Sequence, residues 1–232
     1  MKKKLKKYND ISYKYAYFEP TQDFLEALNK YTNTVKNKSG LNVYQNLANW
    51  SRYFIGELFP EIKIGLYLDL DILFNKNIDD IFKTKFNVVG AIPSNLNSQK
   101  RSREIKELIG KKLDFDFLIS NLFNKIDINY NKFNNFDYNC GVILINFEKY
   151  KTIDIINKLI FYFNFIGENK RFHKPSGTQY IFNFLFPDYT ILEKKYNHIM
   201  KYSNYDKNAG ILQFKGESLN DKYKKIYNNI IN

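Results

Sequence analysis

The segment LYLDLDILF, residues 66–74, sets two aspartates inside an apolar, strand-forming run. In an extended strand, side chains at i and i+2 point to the same face. The pattern predicts a buried strand over residues 62–68, with Asp69 and Asp71 projecting side by side at its end. Two carboxylates held together there repel each other and lose solvation. A divalent cation relieves both costs, because hard cations take carboxylate oxygens. Taken without its neighbours, the run also fits a strand-end turn carrying two solvated carboxylates.

The flanking sequence alternates strand and helix signals. Ile11 to Phe18 is aromatic and β-branched and predicts a strand ending at Pro20. Thr21 is the expected N-cap of a helix running to about Lys36, with Phe24, Leu25, Leu28, Tyr31 and Val35 at helical spacing. A second helix is expected from Val43 to Leu58, stopped by Pro60, and a short one from Asn77 to Phe82. Asn87 to Ile92 and Gly141 to Asn146 read as buried strands. Helices are expected over Ile153 to Phe165 and Ser176 to Phe186, and short strands over Thr190 to Leu192 and Gly210 to Phe214. Asn97 to Lys112 is polar and basic, Asn129 to Asn135 is a low-complexity loop, and Asn220 to Ile231 reads as a helix. This alternation predicts one α/β domain over residues 1–232, with a largely parallel or mixed sheet flanked by helices.

Composition narrows the class. The chain has 232 residues, is 44% hydrophobic, and contains only five prolines and ten glycines, which excludes a disordered chain or one built on long linkers. One cysteine, Cys140, excludes an intrachain disulfide. No apolar stretch reaches the roughly 18 residues a membrane helix needs, and no apolar run follows the basic start as in a secretory signal. A soluble protein of the cytoplasm is expected. Net charge is +12, part of it in Lys2-Lys3-Lys4-Leu5-Lys6-Lys7. That stretch of residues 1–10 reads either as a polyanion-binding arm or as a mobile, solubilising tail. The richness in Asn, Lys, Ile, Tyr and Phe is what an AT-rich genome produces, so the abundance of aromatics argues little by itself.

The order of several segments carries more. These are Trp50 to Pro60 (WSRYFIGELFP), LYLDLDILF, Asn77 to Phe82 (NIDDIF), Tyr138 to Phe147 (YNCGVILINF), Gly177 to Asn183 (GTQYIFN), Tyr196-Asn197, and Leu212 to Gly216 (LQFKG). Together the chain resembles the retaining glycosyltransferases of family 8, the group that includes glycogenin and bacterial lipopolysaccharide galactosyltransferases. The resemblance implies a single Rossmann-like domain of the glycosyltransferase A type. It implies that Asp69 and Asp71 hold a divalent ion, manganese or magnesium, against the diphosphate of a nucleotide sugar, with Gln213 at the place of a third ligand. Arg52 is implied to hold the donor or orient the acidic residues. Asn139 and Gly141 match a short Asn-x-Gly turn, and Thr178 and Gln179 match a pair lining the sugar pocket. Asn197, Lys215 and Gly216 match late donor-site positions. Cys140 is read as a packing residue.

Departures from the family pattern accompany these matches. Gln213 stands where the family has histidine, Thr178 where it has aspartate, and Glu217 to Asn220 where a phosphate-contacting lysine is expected. The stretch before Arg52 is short, and no base-gripping first turn is found in it; the nucleotide half of the pocket is therefore expected to be incomplete, completed by a second chain as partner, or rebuilt. The function expected is metal-dependent transfer of a hexose from a UDP-sugar to a glycan, protein or lipid acceptor, with retention, Asp69, Asp71 and Gln179 being the catalytic set. The alternative is a non-catalytic binding or scaffold protein on the same fold. A nucleic-acid-binding role, suggested by charge and aromatics, lacks any recognisable module, and no specific nucleic acid is expected as partner.

Overall fold

The computed structural model describes residues 14–39, 47–94, 116–129, 131–132, 137–169, 178–200 and 205–214, and residues 224, 226 and 228. The expected polar segment 97–112 lies outside them, as do residues 11–13 of the first expected strand.

One strand organises the rest. Tyr138–Asn146 is a nine-residue strand buried along all but its last residue. Its run of Val, Ile and Leu is the composition of a strand covered on both faces. Numbering strands along the chain, β1 is Ile64–Leu68, β2 Ile72–Phe74, β3 Val89–Pro93, β4 Tyr138–Asn146, β5 Thr190–Ile191, β6 His198–Ile199 and β7 Ile211–Gln213. They form two sheets, ordered β1-β4-β3-β5 and β2-β7-β6. β1 and β3 both pair antiparallel with β4, and β2 pairs antiparallel with β7. Among the described residues only β3–β5 and β6–β7 are parallel. The sheet is therefore mixed, as one of the two expectations held, and not largely parallel.

The helices are α1 (Gln22–Ser39), α2 (Ile55–Leu58), α3 (Phe147–Lys151), α4 (Ile155–Glu168) and α5 (Thr178–Leu185). Thr21 does cap α1: its hydroxyl accepts from the Phe24 N–H at 3.3 Å. Asn146 ends β4 and caps α3, accepting from the Lys149 N–H at 3.1 Å. This short helix had no period of its own to reveal it. Of the expected long helix of residues 43–58, residues 43–46 lie outside the described residues, and the rest is instead a 3-10 stretch, Leu47–Tyr53, a bend at Phe54 and the single turn of α2. A 3-10 stretch places i and i+3 on one face. It thereby buries both Trp50 and Tyr53, which α-helical spacing from Leu47 does not. The described part of the first expected strand, Lys14 to Phe18, is not a strand. Its Phe18 ring packs on Phe54 with centroids 4.7 Å apart. At the far end, Lys224, Ile226 and Asn228 are helical.

Packing divides into a large aromatic core and two small ones. In the large core, α1 lies along α4, and Phe24, Tyr31, Trp50, Tyr53, Phe163 and Phe182 are fully buried. Burying such side chains contributes roughly 1.5–3 kcal/mol each, so this core anchors the sheet's helical face. The smaller core around Leu144 and Leu192 joins the two sheets through Ile211, and the one around Met200 and Leu212 packs the second sheet with Phe214 and Ile226. Aromatic richness is thus used mainly for packing.

Candidate active site

Residues 69–71 carry the chain from one sheet to the other. β1 stops at Leu68, and Asp69-Leu70-Asp71 form a turn that enters β2. The extended strand end from which the shared face of the two aspartates was expected is therefore a turn: the alternation rule applies only while the backbone stays extended. β1 is also half-buried and not fully covered. Asp69 keeps one ladder bond, its N–H donating to the Gly141 carbonyl at 2.9 Å, and the Asp71 carbonyl accepts from the Phe214 N–H at 2.8 Å. Leu70 between them is fully exposed. Each carboxylate thus belongs to a different sheet and has its own companions.

Asp69 is held by Tyr67 and Arg52. The Tyr67 hydroxyl donates to Asp69 Oδ1 at 3.0 Å, and Arg52 Nη2 lies 3.5 Å from the same oxygen. The Arg52 guanidinium sits over the Tyr67 ring, 5.1 Å from its centroid. Burial alone would lower the Arg52 pKa; Cys140, Tyr67 and Asp69 around it outweigh burial and raise it, so the group stays charged. Burial pushes the Tyr67 phenol well up, with Arg52 pulling the other way, so this hydroxyl stays a donor.

Asp71 is held by Gln213, whose Nε2 donates to Asp71 Oδ1 at 3.1 Å. Gln213 is almost wholly buried, and its Oε1 has no hydrogen-bond partner among the described residues. The side chain fits because position 141 is glycine. A Cβ there would come within 2.7 Å of Gln213 Cδ and Oε1, and closer still to Nε2. Gly141 was expected in a short Asn-x-Gly turn. It lies inside β4, as does Asn139, and the space its missing side chain leaves is taken by Gln213.

The remaining residues cluster on the same seam. Asn139 Oδ1 accepts from the Gly141 N–H at 2.7 Å and from Asn197 Nδ2 at 3.1 Å. Asn197 is buried with its Oδ1 unpartnered among the described residues. Gln179, in the first turn of α5, accepts from the Cys140 N–H through Oε1 at 3.3 Å. Thr178 opens α5, and its carbonyl accepts from the Tyr53 hydroxyl. Lys215 and Gly216 lie outside the described residues. Seven of the expected positions, Arg52, Asp69, Asp71, Asn139, Gly141, Asn197 and Gln213, are thus linked through β4's first residues, with Gln179 joined through Cys140.

Two contributors were not expected. Tyr67 could have been found, because it stands two positions before Asp69 and shares its strand face. Asn183, one helical turn beyond Gln179, is buried; it accepts from the Tyr138 N–H at 2.8 Å and donates to the Tyr138 carbonyl at 3.0 Å. It fixes the start of β4 against α5, a tertiary pairing that no local pattern announces.

A metal's fit follows from these donors. Among the described residues no group of three His, Cys, Asp or Glu is placed to hold an ion. Two carboxylates and the unpartnered Gln213 Oε1 make an oxygen-donor set suited to a hard divalent cation. Helix and sheet arrangement agrees with solved glycosyltransferases. The galactosyltransferase LgtC, solved with donor and acceptor sugar analogs, has a TM-score of 0.54 at 18% identity, over 82% of this chain and 68% of that one. An active-site glutamine-to-glutamate mutant of LgtC gives 0.53 at 16% identity, over 84% and 71%. No curated protein matches in sequence. The family profile of glycosyl transferase family 8 matches residues 1–219. The chain belongs to glycosyl transferase family 8, and it is a glycosyltransferase of that class on a mixed α/β fold.

Proposed function

We propose that the chain transfers a hexose from a nucleotide-diphosphate sugar, a UDP-sugar, to a glycan, protein or lipid acceptor with retention at the anomeric carbon, and that it does so with a divalent cation. The observation that carries this reading is the seam itself: Asp69, Asp71 and the open Gln213 Oε1 meet where two sheets join, beside a buried arginine. Asp69, Asp71 and Gln213 would hold the ion; when bound, it supplies Lewis-acid neutralisation of the departing diphosphate.

The chain's own groups do the rest. Arg52 and Tyr67 fix the Asp69 carboxylate from two sides, so it is oriented before any ligand arrives. Asn197 presents an open amide oxygen that a sugar hydroxyl can satisfy, and Asn139 holds that amide in place. Gln179, Thr178 and Gly141 line the same end of β4, and Lys215 and Gly216 are further donor-site residues of the proposal. No side chain of the seam stands as an obvious nucleophile, which favours same-face attack assisted by the leaving phosphate. Among the described residues β1 is an edge strand of its sheet; a second chain completing the nucleotide half is part of the proposal. No helix of the described residues is long and apolar enough to cross a membrane, and a cytoplasmic place is part of the proposal.

The test is incubation with UDP-sugars and a divalent ion while UDP release is followed. Release abolished by Asp71→Asn supports the reading. A second reading, a binding protein that has lost transfer, is favoured by Thr178, whose position brings no carboxylate to the sugar side. Tight UDP and metal binding with no turnover on any donor would establish that second reading instead.

A further inference from the structure

Ser94 stands at the same end of the sheet as the seam. β1 and β3 flank β4 and both run antiparallel to it, so their carboxyl ends leave the sheet together. Tyr67 and Ala91 pair with the same β4 residue, Ile143, from its two sides. Asp69 lies two residues past Tyr67, and Ser94 three past Ala91. The two positions are thus nearly level and two strand spacings apart, about 10 Å. Open α/β sheets take ligands outside the carboxyl ends of their strands.

Between them β4 bulges. Its pairing with β3 passes from Ala91–Ile143 to Pro93–Tyr138, so Ile92 alone faces the stretch from Asn139 to Val142. Bulges beside active sites re-aim side chains, and this one carries Asn139 and Gly141. Beyond it the Ser94 N–H donates to the Asp137 carbonyl at 2.8 Å, which fixes the backbone. The hydroxyl is left over: Ser94 Oγ is buried and has no hydrogen-bond partner among the described residues. A hydroxyl both donates and accepts, and one left buried and unmet is costly and uncommon. We infer that Ser94 Oγ holds a hydroxyl of the transferred hexose. With the diphosphate at Asp69 and Asp71, a hexose reaching across the bulge comes to the end of β3. Ser94 then recognises the sugar and not the nucleotide. This deepens the proposed transfer and rests on it.

The experiment is calorimetry of the full chain with a divalent ion, titrating UDP, UDP-glucose and UDP-galactose into wild type and Ser94 variants. Ser94→Ala is expected to keep UDP affinity within about twofold and to weaken the tighter UDP-hexose about three- to tenfold, the range of one neutral hydrogen bond. Ser94→Thr keeps the hydroxyl and should bind that UDP-hexose more tightly than Ser94→Val, which has nearly the same shape without it. The melting temperature of unliganded Ser94→Ala should equal or exceed that of wild type, because the lost hydroxyl had no protein partner to leave behind. A hydroxyl with a structural role would lower it. If Ser94→Ala binds both UDP-hexoses as wild type does, loses UDP and UDP-hexose equally, or melts several degrees lower, the inference fails while sugar transfer stands. It fails too if the Thr and Val variants bind alike. A wild type that binds neither UDP nor either UDP-hexose would remove the transfer reading and the inference together.

Discussion

Trp50 and Arg52 are two residues apart on one 3-10 stretch, and they end in opposite surroundings. Trp50 meets Phe163 edge to face at 5.0 Å and Phe24 at 6.3 Å, within the large aromatic core. Arg52 is also buried, yet its Nε has no hydrogen-bond partner among the described residues. Four buried side-chain atoms are in that position, and three of them, on Arg52, Asn197 and Gln213, belong to the seam; the fourth, Ser94 Oγ, lies just past β3. Unmet buried polar groups are costly and uncommon in native structures. Their concentration in one region teaches that the core is complete as folded, whereas the seam keeps polar atoms unmet among the described residues, where the proposed ligand would sit.

Substitutions can break that contrast, and the largest effect is expected in the core. Trp50→Ala should cost about 3–5 kcal/mol, a loss that unfolds many single domains at physiological temperature. Denaturant melts would show it. A loss under 1 kcal/mol would mean the aromatic cluster is not what holds the helices to the sheet.

Asp71→Asn should behave in the reverse manner. Melting should move little, because Asp71 has one protein hydrogen bond from Gln213, while UDP release should drop by about a hundredfold or more. Calorimetry with the ion should show weaker binding in parallel. A variant that keeps full turnover would sink the seam as the site of chemistry.

Gly141→Ala joins the two behaviours. The added methyl overlaps Gln213, so stability should fall by about 1–3 kcal/mol as for overpacking, and ion affinity should fall with it. Paired melts and titrations check this; destabilisation with affinity intact would mean that Gln213 can move aside without consequence.

Tyr67→Phe is a gentler probe. It removes only the hydroxyl that donates to Asp69, worth roughly 0.5–1.5 kcal/mol. A several-fold loss in kcat with KM for donor nearly unchanged is expected from a loosened carboxylate, and an unchanged kcat would leave Tyr67 with a packing role alone.

The smallest effect lies outside both regions. Hydrogen bonds from Lys195 and Tyr196 lower the Asp80 pKa below the usual carboxylate value. A depressed carboxylate stabilises the fold above its unfolded pKa of about 3.9 and loses that contribution as pH falls through its folded value. The melting-temperature gap between wild type and Asp80→Asn should thus be small and constant above about pH 5 and close below it. A gap that widens in acid would reverse the assigned sign.

The sequence carried much of the site and less of its shape. Asp69, Asp71, Asn139, Gly141, Asn197 and Gln213 were all legible, because each stands in a short segment whose order is shared with a family. Strand β4 was legible from its unbroken apolar run, and Thr21 from capping chemistry. Lys14 to Phe18 misled because aromatic, β-branched composition suits a strand, yet a strand also needs a partner edge; here Phe18 packs on Phe54 instead. The stretch 47–58 misled because over so short a span a 3-10 turn and an α-helix share much of their apolar pattern.

The two aspartates mark the same division. Local chemistry alone left the D-x-D two readings, a pair of solvated carboxylates at a strand-end turn or a pair held by a cation. Tertiary structure alone decided what surrounds them. A turn between two sheets gave Asp69 to Arg52 and Tyr67 and gave Asp71 to Gln213, and those contacts span 142 positions for the Asp71–Gln213 pair. Contacts so distant along the chain depend on which strands pair and in what register, and register is set by the burial of whole faces and not by any residue's neighbours in sequence.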